Sequence, residues 1–79
     1  MQRLDFTIEP FIEGHPGRHV TEPVRILESK GVDVEFGAFG SSCIAADEIM
    51  PELVAEVVRA AFAHGATHVN LELTEEPSP

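Results

Sequence analysis

The chain is poor in cysteine, in basic residues and in long apolar runs, and each shortage removes a class of protein. Cys43 is the only cysteine. No internal disulfide can therefore form, and no cysteine pair exists to build a structural zinc site. Five basic residues stand against 14 acidic ones, for a formal net charge of -9. Nucleic acid and anionic membrane both require a positive patch, so neither is expected as a partner. A cationic small molecule remains compatible with this balance, although plain solubility accounts for most of the charge. Met1 to Phe11 lacks an apolar run behind a basic start, so no secretory signal is expected. No stretch approaches the roughly 20 apolar residues of a membrane span. A reducing, cytoplasmic setting is the expectation.

What is present is an ordered alternation of patterns. The 79 residues are read as one domain over 1–75, followed by a short acidic and proline-containing tail over 76–79. A chain of this size buries roughly 60% of its unfolded surface, enough for one modest core. Association would bury more, so self-assembly is expected. Leu4, Phe6 and Ile8 alternate with Asp5, Thr7 and Glu9, the period of a half-buried strand, and Pro10 closes it. Gly14, Pro16 and Gly17 mark a loop. Val20, Val24 and Leu27, with Ile26 beside them, form a helical stripe that stops at Gly31. Pro23 permits two starts. Thr21 could cap a short helix beginning at Glu22, or a longer one begins near Arg18. The longer helix is favoured because Val20 then joins the stripe.

Val32, Val34 and Phe36 alternate with Asp33 and Glu35 and predict a second strand. Ser41 to Ala46 predicts a third, whose facing register the pattern leaves open. Asp47 signals a helix start, with Pro51 in the first turn. Leu53, Val54, Val57, Val58, Ala61 and Phe62 give that helix a wide apolar face before Gly65. Thr67 to Thr74 predicts the last strand, with Val69, Leu71 and Leu73 on one side and His68, Asn70, Glu72 and Thr74 on the other.

Right-handed crossovers through this string place the first and third strands at the centre of a four-stranded antiparallel sheet, with both helices on one face. The fold class is α+β, a ferredoxin-like βαββαβ sandwich. Phe6, Ile8, Val34, Phe36, Val69 and Leu71 are expected to meet the helices. Asp5, Thr7, Glu9, Glu35, His68, Asn70 and Glu72 are expected on the open face, with Phe11 and Phe39 near its ends.

Three segments carry a family resemblance. Phe6-Thr7-Ile8-Glu9-Pro10 resembles the Phe-Thr-hydrophobic-x-Pro start of the thiamine-binding proteins, small ferredoxin-like domains. Ala38-Phe39-Gly40-Ser41 resembles that family's Pro-hydrophobic-Gly-Thr turn. Gly65-Ala66-Thr67-His68-Val69 resembles its Gly-Ala-x-basic-Val entry into the last strand. The segments come in order and at matching spacing over nearly the whole chain. Ala38 stands where proline is common, and Ser42-Cys43-Ile44-Ala45 replaces a stretch that in many relatives holds an acidic residue and glycine. The resemblance implies a homo-oligomer assembled through its sheets, commonly a tetramer. It also implies, for some members, binding of thiamine or its hydroxymethylpyrimidine part.

The residues can be weighed against that ligand. Thiamine offers a cationic thiazolium, an aminopyrimidine and a hydroxyl. A site for it needs a carboxylate, amide or hydroxyl groups and an apolar wall. Thr7, Glu9, Phe39, Gly40, Ser41, Asn70 and Glu72 could supply these from neighbouring strands. They would serve equally as a solvated or subunit-contacting face. His15 and His19, and His64 and His68, have the i, i+4 spacing of a zinc pair. A loop or a glycine interrupts each pair, so they are read as surface or loop histidines. Cys43 is read as a small buried strand residue rather than a nucleophile. No metal, no cofactor and no catalysis are expected. The reading is a non-enzymatic, oligomeric domain that binds a small metabolite, with thiamine first. A structural or regulatory assembly domain is the alternative, and a small enzyme of this fold comes third.

Overall fold

Alternation forms the first strand, β1 (Gln2–Glu9), whose Leu4, Phe6 and Ile8 are all buried. The computed structural model describes residues 1–12, 14, 16–37 and 40–76. Within them β1 is followed by α1 (Arg18–Ser29), β2 (Glu35–Gly37), β3 (Gly40–Ala45), α2 (Met50–Ala63) and β4 (His68–Glu75). The sheet order is β2-β3-β1-β4, with every neighbouring pair antiparallel. This is the ferredoxin-like arrangement, with β1 and β3 central and β2 and β4 at the edges. Ala38, Phe39 and the last three residues lie outside the described residues, as do Glu13 and His15.

The longer first helix is the one that forms. It starts at Arg18 and carries Pro23 inside it, buried. Packing of the ring into the core accompanies the one backbone donor that proline lacks. Both helices end in the same way. The Val32 N–H reaches back to the Leu27 carbonyl (3.1 Å) and the Ala66 N–H to the Ala61 carbonyl (3.0 Å), bonds that satisfy orphan carbonyls of the last turn. α2 begins later than the Asp47 signal, at Met50, with Pro51 in its first turn. There the missing N–H costs nothing.

The core gathers Leu4, Phe6 and Ile8 of β1 against Val24 and Leu27 of α1 and Met50, Leu53, Val57 and Ala61 of α2. The register of β3, which the pattern left open, puts Ser41, Cys43 and Ala45 inward and leaves Ser42 and Ile44 outward. Small residues face in because their direct partners Phe6 and Leu4 are large.

Four expectations are corrected. β2 is shorter than the alternation suggested, because the Val32 N–H is spent on closing α1 and only Glu35 to Gly37 pair with β3. Val32 and Val34 still pack on the core, from irregular chain. Phe36 lies on the helix side, opposite Ser41, yet is 59% exposed. Leu71 also faces the helix side and is 37% exposed, and Phe62 stands half exposed on α2. For Phe36 and Leu71 the face was read correctly and the cover was not: two helices do not reach over both edges of four strands.

Candidate functional site

Pro10 ends β1 at the edge of the helix layer, and the chain then runs through Phe11 and Ile12 before returning into α1. This return leaves an open cleft of about 370 Å³ between the β1–α1 connection, the start of α1 and the tips of β2 and β3. Phe6, Ile8 and Val20 line it from the core side, with Pro10, Phe11, Ile12 and Phe36 also on its wall. Ser41 and His19 are polar residues of its helix-side lining, and Thr7 borders it from β1. Its volume falls within the range of small-ligand sites, and its apolar wall with a few polar groups is their usual chemistry.

His19 is the most constrained of these groups. It is buried, and its Nε2 contacts the Pro10 carbonyl oxygen. A carbonyl only accepts, so Nε2 carries the proton in this bond and Nδ1 is left as an acceptor in the neutral ring. Gly17 makes room for the ring. A Cβ at position 17 would stand 2.8 Å from both Cε1 and Nδ1 of His19. Gly40 does the same on the opposite wall. Its φ is +150°, and a Cβ there would stand 2.8 Å from the Phe6 carbonyl oxygen and from Thr7 Cγ2. Only glycine lets β3 start this close to β1.

The open face of the sheet is a different surface. The register aligns Asp5 with Glu72, Thr7 with Asn70 and Glu9 with His68. His68 Nδ1 lies 3.3 Å from Glu9 Oε2 and 3.0 Å from Thr67 Oγ1. Arg3 Nε donates to Asp5 Oδ2 at 3.1 Å, and this carboxylate holds the Arg3 guanidinium above its ordinary range. Asp5, Thr7, Asn70 and Glu72 line a shallow hollow of about 260 Å³. The Cys43 thiol, buried in the sheet, is pushed up from its ordinary value chiefly by that burial and secondarily by the Asp5 charge.

The residues expected to act together therefore divide. Glu9, Asn70 and Glu72 lie on the open face, Ser41 is buried on the helix side, and Thr7 and Gly40 border the cleft. Phe39 lies outside the described residues. Phe11 turns to the cleft rather than to the open face. None of the described residues lining the cleft is a carboxylate, and Glu9 stands one residue before its rim at Pro10. His19 was missed as a site residue and read as a loop histidine. Its signal was present: His19, Pro23 and Leu27 repeat every four residues, and all three are buried in α1. Among the described residues no three His, Cys, Asp or Glu side chains gather as metal ligands.

No family model matches the chain, and no curated protein does. Among solved structures it is similar to a domain of unknown function, DUF77, from Bacillus cereus. The two share 19% identity at a TM-score of 0.68, over 98% of this chain and 77% of that one. At that identity the likeness shows the fold alone, a small α+β domain of the ferredoxin-like kind. No helix of the described residues is long and apolar enough to cross a membrane.

Proposed function

We propose that this is a non-enzymatic, self-assembling domain that binds a small flat heteroaromatic metabolite, of the thiamine or hydroxymethylpyrimidine kind, in the cleft beside His19. The observation that carries the reading is the cleft itself. It has an aromatic and aliphatic wall, a serine, and a buried histidine whose ring is fixed against the Pro10 carbonyl. A ring would lie against Phe36 and Phe11, and Ser41 and the His19 region would meet its edge atoms. Glu9, beside Pro10 at the rim, is the candidate counter-charge for a thiazolium. The three motif resemblances to thiamine-binding proteins point the same way. The low basic content argues against nucleic acid and anionic membrane as partners. Among the described residues Ser41 makes no side-chain hydrogen bond to His19, whose ring is engaged with the Pro10 carbonyl, and on this reading a bound metabolite is held and not transformed.

Calorimetric titration of the purified protein with thiamine and with hydroxymethylpyrimidine tests this directly. Binding of either one, weakened about ten-fold or more by Phe36→Ala, is the expected result. Phe36 is largely exposed, so its loss leaves the core intact. Absence of heat with both compounds at millimolar concentration removes the ligand and leaves the assembly-domain alternative. The uncovered edge of β4 is the observation that favours that alternative.

A further inference from the structure

Two buried polar side chains line the cleft, Ser41 on β3 and His19 on α1. They differ in what they can recognise. A hydroxyl rotates and serves as donor or acceptor, so Ser41 does not choose between ligand edges. An imidazole with one nitrogen already committed does choose.

His19 is committed through Nε2, which donates to the Pro10 carbonyl. That bond leaves Nδ1 of the neutral ring as an acceptor. Among the described residues Nδ1 has no hydrogen-bond partner, although the side chain is only 4% exposed. The space beside it is kept open. A Cβ at position 17 would stand 2.8 Å from Nδ1 and 3.0 Å from Ile12 Cδ1, and both Gly17 and Ile12 line the cleft. Gly17 has a φ of -80°, which any residue adopts. What glycine provides there is room, not backbone freedom. A buried acceptor at the end of an open slot is costly to leave unmatched.

We infer that His19 Nδ1 is the specificity determinant of the cleft, accepting a hydrogen bond from an N–H on the ligand edge that enters between Gly17 and Ile12. Nδ1 plays this part only if the cleft is the ligand site, so the inference rests on the proposed function and adds the polarity of the ligand to it. The class is a heteroaromatic ring with an amino group on its edge, as in a 4-aminopyrimidine. A ring whose edge carries only acceptors or methyl groups leaves Nδ1 unmatched. Ile12 shields the bond from water, and the low local dielectric strengthens it. Ser41 accommodates either polarity at its own side of the ring.

The test compares two ligands of one shape by calorimetry. Hydroxymethylpyrimidine carries an amino group at its 4-position, and its 4-methyl analogue keeps the volume and loses the donor. The wild type is expected to bind the amino compound about ten-fold or more tightly. His19→Phe keeps a flat ring and deletes Nδ1, and Gly17→Ala fills the slot and keeps the imidazole. Each is expected to bring the two affinities within about two-fold of each other. Equal binding of both compounds by the wild type overturns the inference and leaves the ligand reading intact. A preference that survives in both variants assigns the donor to another group and overturns the inference too. A wild type that binds neither compound removes the ligand reading and the inference with it. Should the variants fail to fold, nitrogen-15 NMR of the wild type decides. At about pH 8.5, where an ordinary imidazole is neutral, the Nδ1 resonance of His19 is expected at the pyridine-type position. It should move upfield with the amino compound and stay in place with the methyl analogue. A pyrrole-type Nδ1 in the free protein overturns the inference whether or not either compound binds.

Discussion

β1 and β4 carry nearly the same message and meet opposite fates. Leu4, Phe6 and Ile8 alternate along one, and Leu73, Leu71 and Val69 along the other, each the direct cross-strand partner of its counterpart. The first three are buried, while Leu71 and Leu73 are exposed and Val69 is half-buried. Side-chain period alone decides which face a residue takes. Cover depends on where the strand sits: β1 has a strand on each side and helices above it, whereas β4 lies at the rim. The burial free energy of an apolar side chain, about 25 cal/mol per Å², is thus realised in folding at β1. At β4 much of it is not.

The largest expected consequence separates Leu4 from its own partner, Leu73. Leu4→Ala removes a fully buried side chain and should cost about 2–5 kcal/mol, read as a lower urea midpoint. Leu73→Ala trims a half-exposed side chain and should change stability within about 0.5 kcal/mol. Equal costs for the two would mean that β4 is covered within one chain, and the contrast between the strands would collapse.

A smaller effect is expected where β1 meets β3. Gly40→Ala forces a Cβ against the Phe6 carbonyl oxygen and Thr7 Cγ2, both at 2.8 Å, at a φ of +150°. Strain of this kind is typically worth about 1–3 kcal/mol. Stability should fall by that order, and binding in the cleft should weaken along with it. Gly31→Ala is the useful comparison, since it shares a positive φ but meets nothing within 4 Å. A cost at Gly40 no greater than at Gly31 would show that close approach of the strands is not the constraint.

These contrasts also mark how far the sequence could be read. Strand order followed from crossover handedness and needed only the six elements. The open face was legible because Asp5, Thr7, Glu9, Asn70 and Glu72 alternate with apolar residues. The cleft was not, because it is made by the path of the chain after Pro10, and Phe11 and Ile12 carry no periodicity to announce where they turn. Ser41 sits in a run of small residues whose register only pairing with β1 decides. His19 was legible in principle from its spacing to Pro23 and Leu27, but the neighbouring Pro16-Gly17 disguised it as loop. The exposure of Phe36 and Leu71 depends on helix reach, a property of the assembled layers that no single segment encodes.

The smallest expected effect concerns charge at the centre of the sheet. Cys43 faces Leu4 across the β1–β3 ladder, and burial raises its thiol above the ordinary value of 9.0. A thiol raised in the folded state keeps its proton where the unfolded chain has already lost it. Its contribution to stability is therefore complete below the ordinary value and is lost as pH rises through the folded one. Other groups titrate in the same range, so the informative quantity is the difference between wild type and Cys43→Ala. That difference in urea midpoint should shift against the wild type as pH climbs from about 8 to about 11, because only the wild type must bury a thiolate or hold it protonated. A cysteine placed at the exposed position 70 of β4 in the Cys43→Ala chain should show no such trend, since water solvates its thiolate in both states. A flat difference curve for Cys43, or a slope of equal size at position 70, would erase the distinction between covered centre and open edge that the two strands otherwise display.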